Sequence, residues 1–183
     1  MNQTLEVIKN RYSCRSFAET PLTDEEIRLI SEAGVQAPSG NNSQRWRVIA
    51  VKDKDLLAEL DAEAMRAISE MEDKTLYDRL MDRGGTVLYH APCVVYIPIP
   101  SAEAELDCGI VSENIALAAA SLGIASCICG LARFSFSESK SAYFKERLCF
   151  PDGYDFGMSV LLGTAKAARS PHTPDSSKIT IIG

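Results

Sequence analysis

The stretch that decides the fold is LDCGIVSENIALAAASLGIASCICG, residues 106–130. Residues 106–122 are the most apolar helix candidate in the chain, with apolar side chains on nearly every side of the helix. Gly123 follows as the residue that ends this helix, and residues 124–129 predict a short buried strand that leads into Gly130. A buried helix followed directly by a buried strand favours a core that mixes the two element types.

The elements on either side extend this pattern. A capping box formed by Thr23 and Glu26 predicts a helix that runs to about Gln36. The remaining predictions come from apolar periodicity and turn residues: a helix over 4–12, a strand over 46–51, helices within 54–83, a strand over 93–99, a helix from 137 to 151 and a strand over 158–162. No G-x-G-x-x-G follows a strand, which excludes a dinucleotide-binding fold of that type. We predict one α+β domain over residues 1–183, with helices packed on a small mixed sheet.

Composition narrows the function classes. The 183 residues are 46% hydrophobic and 24% charged, with a net charge of −6, so we expect no nucleic-acid partner and no membrane surface as a partner. The N-terminus lacks the apolar stretch of a signal peptide, and we expect a cytoplasmic protein with six reduced cysteines. With two histidines and no C-x-x-C, we expect neither a metal site nor a histidine-based hydrolytic triad.

Two segments in the N-terminal part carry clustered donors. RYSCRSF, residues 11–17, brings two guanidinium groups and a hydroxyl together, which suits a phosphate; the alternative is a solvated helix end. APSGNNSQRW, residues 37–46, gathers amide groups that suit the edge of a heterocycle; the alternative is a set of Asx turns that connects two elements.

Two further segments follow buried strands. Gly130 in CICGLARF permits close approach of the backbone to a ligand, or a tight turn. Lys166 and Arg169 in LLGTAKAARS place two cations after the last strand, where surface salt bridges are the alternative.

The four segments together, in this order and at these separations, resemble the FMN-dependent nitroreductase family. The resemblance spans essentially the whole chain. It implies a nitroreductase-like α+β sandwich with a small, mostly antiparallel sheet covered by helices. It further implies a homodimer with a C-terminal strand exchanged between subunits and two flavins at the interface.

The resemblance also assigns residues to the FMN site. It implies that Arg11, Ser13 and Arg15 hold the phosphate and ribityl chain, with Tyr12 contributing its backbone. The loop expected to reach the flavin from the partner subunit consists of Pro38, Ser39, Asn42 and Gln44.

In the C-terminal part, the resemblance implies that the backbone amides of Cys129 and Gly130 approach the flavin N5 and O4 edge. Arg169 corresponds to a phosphate-binding arginine, with Lys166 beside it. No side-chain acid or base is needed, because the flavin N5 carries the hydride.

The reaction expected from the resemblance is a ping-pong transfer. NADH or NADPH reduces the flavin and leaves, and a nitroaromatic, quinone or other electron-poor acceptor takes its place. Two alternatives stay open: another flavin chemistry on the same scaffold, such as dehalogenation or flavin consumption, and a non-enzymatic flavin-binding or thiol-sensing protein that uses Cys127 and Cys129.

The chain departs from the family pattern at several positions. Arg45 stands where proline is usual, Thr164 replaces a commoner aromatic residue, and Cys129 lies where other side chains are usual at the flavin edge. The substrate lid, expected somewhere within 60–90, carries no recognisable motif. At the C-terminus, three isoleucines within residues 178–182 predict a strand that pairs with a sheet edge of the same subunit or of a partner.

Overall fold

The computed structural model describes residues 2–167 and 169–183. Its α-helices are α1 Gln3–Asn10, α2 Asp24–Val35, α3 Lys54–Ser69, α4 Thr75–Met81, α5 Glu105–Ser121 and α6 Ser141–Arg147. Its strands are β1 Ile49–Val51, β2 Cys93–Ile99, β3 Ala125–Ile128 and β4 Asp155–Gly163. Within these residues, no helix combines the length and the hydropathy needed to cross a bilayer.

The strands form a sheet of order β1-β2-β4-β3 in which every neighbouring pair is antiparallel. One isolated parallel bridge, between Ser13 and Ser126, extends the sheet at its β3 edge. The predicted small sheet covered by helices is therefore confirmed.

Helices cover both faces of this sheet. On one face, Val95 and Ile97 of β2 pack with residues of α2 and α5. On the other, Val94 and Tyr96 pack with residues of α3 and of a 3-10 helix, Gly130–Phe136. All residues of β2 are buried because the strand is central and covered twice.

The capping box of α2 is confirmed. The Thr23 hydroxyl accepts a hydrogen bond from the Glu26 N–H, and the Glu26 carboxylate accepts one from the Thr23 N–H at 2.7 Å. Leu22 and Ile27 lie in the same apolar cluster, as a hydrophobic staple requires.

Several element boundaries differ from the sequence predictions. Strand β1 starts at Ile49 rather than at residue 46, because the Trp46 N–H donates to Gln44 in a turn. Helix α6 starts at Ser141 rather than at Ser137, since Ser137 ends the unpredicted 3-10 helix and donates its hydroxyl to Glu63 of α3.

The C-terminal tail also differs from prediction within one chain. A 3-10 turn, Ser176–Lys178, precedes residues without regular structure, and the three isoleucines are 71–92% exposed. The predicted alternative in which this tail pairs with an edge of its own sheet is therefore wrong. Pairing with a second copy stays a prediction.

Candidate functional site

The N-terminal segment 11–17 lies beside β3 and the end of β4. The Cys14 N–H donates to the Ser126 carbonyl at 2.8 Å, and Phe17 bridges to Ala165. Both Cys14 and Phe17 are buried. Because side chains alternate along extended backbone, Ser13 and Arg15 lie on the side opposite to Cys14.

A cavity of about 210 Å³ opens where this segment meets the end of β3. We call it the Arg15 cavity. Its lining consists of Arg15, Arg79, Arg83, Tyr89 and residues 127–131. It therefore brings together three of the predicted site residues, Arg15, Cys129 and Gly130, with two arginines that the sequence analysis did not select.

The backbone that lines this cavity includes an N–H group with no partner among the described residues. The Cys129 N–H donates to the Ser159 carbonyl at 2.8 Å, and the Ser159 hydroxyl donates to the Cys129 carbonyl at 2.7 Å. Gly130 is the first residue of the 3-10 helix, and the first N–H groups of a helix have no partner within it. Because the Cys129 amide is engaged, Gly130 is the donor that this structure leaves available.

Gly130 also leaves space. A Cβ built at this position would meet the Met158 sulfur at 3.8 Å, an ordinary contact, and its φ is not in the left-handed region. Neither packing nor backbone geometry within the chain requires glycine here, which fits a position where a ligand approaches the backbone closely.

A second cavity, of about 360 Å³, adjoins the start of the same segment. We call it the Arg11 cavity, because Arg11 and Tyr12 line it together with Ser126 and Ala165. The Arg11 guanidinium lies 3.5 Å from a carboxylate oxygen of Glu113. Ser126 and Cys127 are consecutive residues of β3, so the two cavities are neighbours along this strand.

The two C-terminal cations have different surroundings. The Lys166 N–H donates to the Ser16 carbonyl at 3.0 Å, which holds Lys166 beside segment 11–17. Arg169 is exposed and lines neither cavity. The structure thus places Lys166 beside the N-terminal motif, whereas the phosphate role of Arg169 stays a prediction.

Comparison with known proteins identifies the family. Residues 8–164 match the profile of the Nitroreductase family. The chain belongs to this family. A nitroreductase with bound FMN from Desulfitobacterium hafniense DCB-2 is similar over 100% of both chains, with 48% identity and a TM-score of 0.97.

Two further comparisons agree. A nitroreductase with bound FMN from Bacteroides fragilis shares 30% identity over 100% of both chains, with a TM-score of 0.91. A relative from Archaeoglobus fulgidus, whose name combines NADH dehydrogenase and NAD(P)H nitroreductase, is 26% identical over 96% of this chain and 92% of its own. The family resemblance predicted from the four segments is confirmed.

The loop containing Pro38, Ser39, Asn42 and Gln44 lines neither cavity of this nitroreductase-family chain. The Ser39 hydroxyl accepts from the Gln44 N–H at 3.0 Å, and the Gln44 side-chain amide donates to Asn42 at 2.8 Å. Asn42 and Gln44 have left-handed φ values of 53° and 47°. Asn tolerates this conformation, but Gln adopts it rarely, so the loop holds a strained shape that faces solvent in one chain.

Arg45, where the family usually has proline, lies beside this loop. Its guanidinium is 3.4 Å from the Glu103 carboxylate, while its Nε is buried without a hydrogen-bond partner among the described residues. The charge introduced at this position is therefore directed towards Glu103.

The thiols at the site are protonated at neutral pH. Burial raises the pKa of Cys127 to about 11, against a smaller opposing effect of the Arg15 charge. Burial also raises the pKa of Cys129, whose sulfur donates to the Val87 carbonyl. Because the thiolate is the reactive form, this environment does not favour the thiol-sensing alternative.

The sequence analysis missed Arg79 and Arg83. Arg79 lies in the last turn of α4 and Arg83 follows four residues later, within the region expected to carry the lid. The available signal was the four-residue spacing, which places two side chains on the same side of a helical turn.

Proposed function

We propose that this protein is an FMN-dependent oxidoreductase that uses NADH or NADPH to reduce nitroaromatic, quinone or similar electron-poor acceptors. The observation that carries the proposal is the Arg15 cavity: a guanidinium and the Gly130 N–H line it together, and neither has a partner among the described residues. Its support is the full-length likeness to the FMN-bound Desulfitobacterium nitroreductase.

The residues present fit FMN. An elongated cofactor with an anionic end needs cationic and hydroxyl donors at that end and a backbone donor at its ring. Arg11 lines the Arg11 cavity, Ser13 bridges to Ser126 between the two cavities, and Lys166 is held beside the same segment by its bond to Ser16. These residues offer the first set, and Gly130 offers the second in the neighbouring Arg15 cavity. Arg169 joins the first set in this proposal through movement of the segment after β4, or through the assembled dimer.

The chain's own contribution is binding, orientation and electrostatics. When bound, FMN supplies the group that takes a hydride from the nicotinamide and passes it to the acceptor, in a ping-pong order. The resemblance assigned Arg15 to the phosphate and ribityl chain, but Arg15 shares a cavity with Gly130. From there Arg15 would stabilise negative charge that develops at the ring, and the Gly130 N–H would hold the ring edge. No side chain is required as an acid or base.

We further propose a homodimer in which the loop 38–44 and the C-terminal tail complete the partner's site. Two observations support it. The loop is preformed but lines neither the Arg11 cavity nor the Arg15 cavity, and the tail exposes Ile179, Ile181 and Ile182 to solvent. Exposed apolar side chains grouped in this way mark an interaction surface.

The cofactor assignment is tested with Arg15→Ala and a matched control, Arg147→Ala. Arg147 is a surface arginine that contacts Tyr143 and Glu59 and lines neither cavity. A charge-assisted hydrogen bond typically contributes about 1.5–3 kcal/mol, so Arg15→Ala weakens FMN binding at least about tenfold while the control does not. Equal FMN affinity in Arg15→Ala, Arg11→Ala and the wild type contradicts the assignment.

Catalysis is tested with the purified FMN-loaded protein. Steady-state oxidation of NADH and NADPH, at several acceptor concentrations, is expected to give parallel double-reciprocal lines. Intersecting lines rule out the ping-pong order. If the flavin-loaded protein oxidises neither NADH nor NADPH, the proposed oxidoreductase activity is ruled out.

The dimer is tested by deleting residues 176–183. We expect sedimentation to show a weaker dimer and the flavin-to-protein absorbance ratio to fall in parallel, because both features use the same interface. A truncated chain that stays a fully loaded dimer contradicts the proposed exchange.

A further inference from the structure

We propose that Arg79 and Arg83 form an anion-binding subsite in the Arg15 cavity. It would bind the carboxylate or phosphate group of the small molecule that exchanges electrons there. This inference rests on the proposed function, because it assigns a substrate class to the same site.

The two arginines are carried by an anchored turn. Leu80, between them, is 1% exposed and belongs to the core. After α4 the chain turns through Gly84 and Gly85, whose φ values are 102° and 68°, and the Gly85 N–H donates to the Leu80 carbonyl at 3.0 Å. The buried anchor and this turn hold the backbone that directs both guanidinium groups to the cavity.

The charge at this cavity is not balanced by the chain. Within residues 2–167 and 169–183, Arg15, Arg79 and Arg83 have no ion pair and no side-chain hydrogen bond. By contrast, Arg28 pairs with Glu25 and Glu32, and Arg66 with Glu63 and Glu70. The chain carries a net charge of −6, so three unpaired cations around one cavity are a local exception.

Three guanidinium groups around a volume of about 210 Å³ repel one another unless an anion lies between them. The cofactor's phosphate is assigned to the neighbouring Arg11 cavity, and Arg15 is assigned to the cofactor ring. The family resemblance assigns neither Arg79 nor Arg83 to the cofactor, and the oxidised flavin ring carries no net charge. These two cations of the same cavity are therefore available to a second ligand that lies against the ring. Guanidinium groups select carboxylate and phosphate through paired hydrogen bonds, which defines the chemical class of that ligand.

The test uses two non-reducible probes of the same shape, benzoate and benzamide, titrated into the oxidised FMN-loaded protein by calorimetry. The variants are Arg79→Gln, Arg83→Gln, their double variant and Arg79→Lys, with Arg147→Gln as the control. We expect the wild type to prefer benzoate. The double variant loses at least about tenfold in benzoate affinity, while benzamide and FMN affinities change by less than about twofold.

Arg79→Lys is expected to retain part of the preference, because it keeps the charge but loses the paired geometry. Equal binding of both probes by the wild type overturns the subsite. A benzoate preference that survives in the double variant also overturns it. A parallel loss of FMN affinity in that variant overturns it as well, because it assigns the two arginines to the cofactor.

Turnover distinguishes the two possible sources of the anion. If the Arg79→Gln/Arg83→Gln double variant has a higher KM than the wild type for 4-nitrobenzoate but not for 4-nitrobenzamide, the subsite belongs to the acceptor. If its KM is higher for NADPH but not for NADH, the subsite binds the donor's phosphate. Failure of the proposed function has a different signature. The wild type then oxidises no NAD(P)H, while the preference for benzoate in calorimetry still decides whether the anion subsite exists.

Discussion

Replacing Gly163 with alanine tests how the end of β4 positions the N-terminal motif. A Cβ at this position would lie 2.6 Å from Cδ and 2.9 Å from Cγ of Pro92, and 3.0 Å from a ring carbon of Phe17. These distances are shorter than ordinary contacts. The Pro92 ring is rigid and Phe17 is 1% exposed, so neither neighbour can yield without moving its backbone.

The expected cost follows from overpacking. An extra carbon forced into a well-packed core typically costs about 1–3 kcal/mol. For a chain of this length, each kcal/mol lowers Tm by roughly 2–4 °C, so we expect a decrease of about 2–12 °C. Phe17 bridges to Ala165 and Ser16 accepts from the Lys166 N–H. Displacement of Phe17 therefore moves the segment that carries Arg15, and FMN occupancy falls as well.

The matched control is Gly109→Ala. Gly109 lies within α5, and a Cβ there would meet no heavy atom within 4 Å. Alanine inside a helix is typically more stable than glycine by about 0.5–1 kcal/mol. The midpoints of urea and thermal unfolding, followed by circular dichroism, should therefore fall for Gly163→Ala and rise for Gly109→Ala. A Gly163→Ala protein as stable as the wild type refutes the packing argument.

Two further predictions concern ionisation. Hydrogen bonds from Arg66 hold the pKa of Glu63 below its ordinary value of 4.5, so the ionised carboxylate stabilises the fold above that pH and this contribution is lost as the pH falls. Between about pH 6 and pH 3, the free energy of unfolding in urea should therefore fall less steeply for Glu63→Gln than for the wild type. The same pH dependence in both proteins contradicts this. Burial raises the pKa of Cys93 and Cys108 to about 12, while Cys149 is exposed. A thiol reagent should therefore modify one cysteine rapidly in the native protein and all six after unfolding; rapid modification of Cys149→Ser would show that a buried thiol is accessible.

Local signals predicted much of the fold. The capping box at Thr23 and the helix stop at Gly123, whose φ is 74°, depend on residues within one turn of themselves. The bounds of β2 were predicted correctly as well, since a buried β-branched run between prolines has few other conformations. These features are set by backbone sterics and nearby hydrogen bonds, which a sequence displays directly.

The start of α6 was missed because it depends on a distant partner. Ser137 ends the 3-10 helix because its hydroxyl reaches Glu63, 74 residues earlier in the chain. At the candidate site, Arg15 and Gly130 belong to short motifs and were predicted. The engagement of the Cys129 amide by Ser159, and the convergence of Arg79 and Arg83 on the same cavity, arise only when separate elements pack together.

The loop at Gln44 and the C-terminal tail each carry a cost that contacts within a single chain do not offset. The left-handed backbone at Gln44 is strained, a conformation that typically costs about 1–3 kcal/mol, and the loop lines neither the Arg11 cavity nor the Arg15 cavity of its own chain. Ile181 and Ile182, at 90% and 92% exposed, bury no apolar surface. Both costs are offset if a second copy covers the tail and receives the loop. Thermal stability should then rise with protein concentration, because association favours the folded state by mass action. A Tm that does not depend on concentration over the range where sedimentation detects dissociation would mean that the loop and the tail have their shapes for a reason inside the single chain.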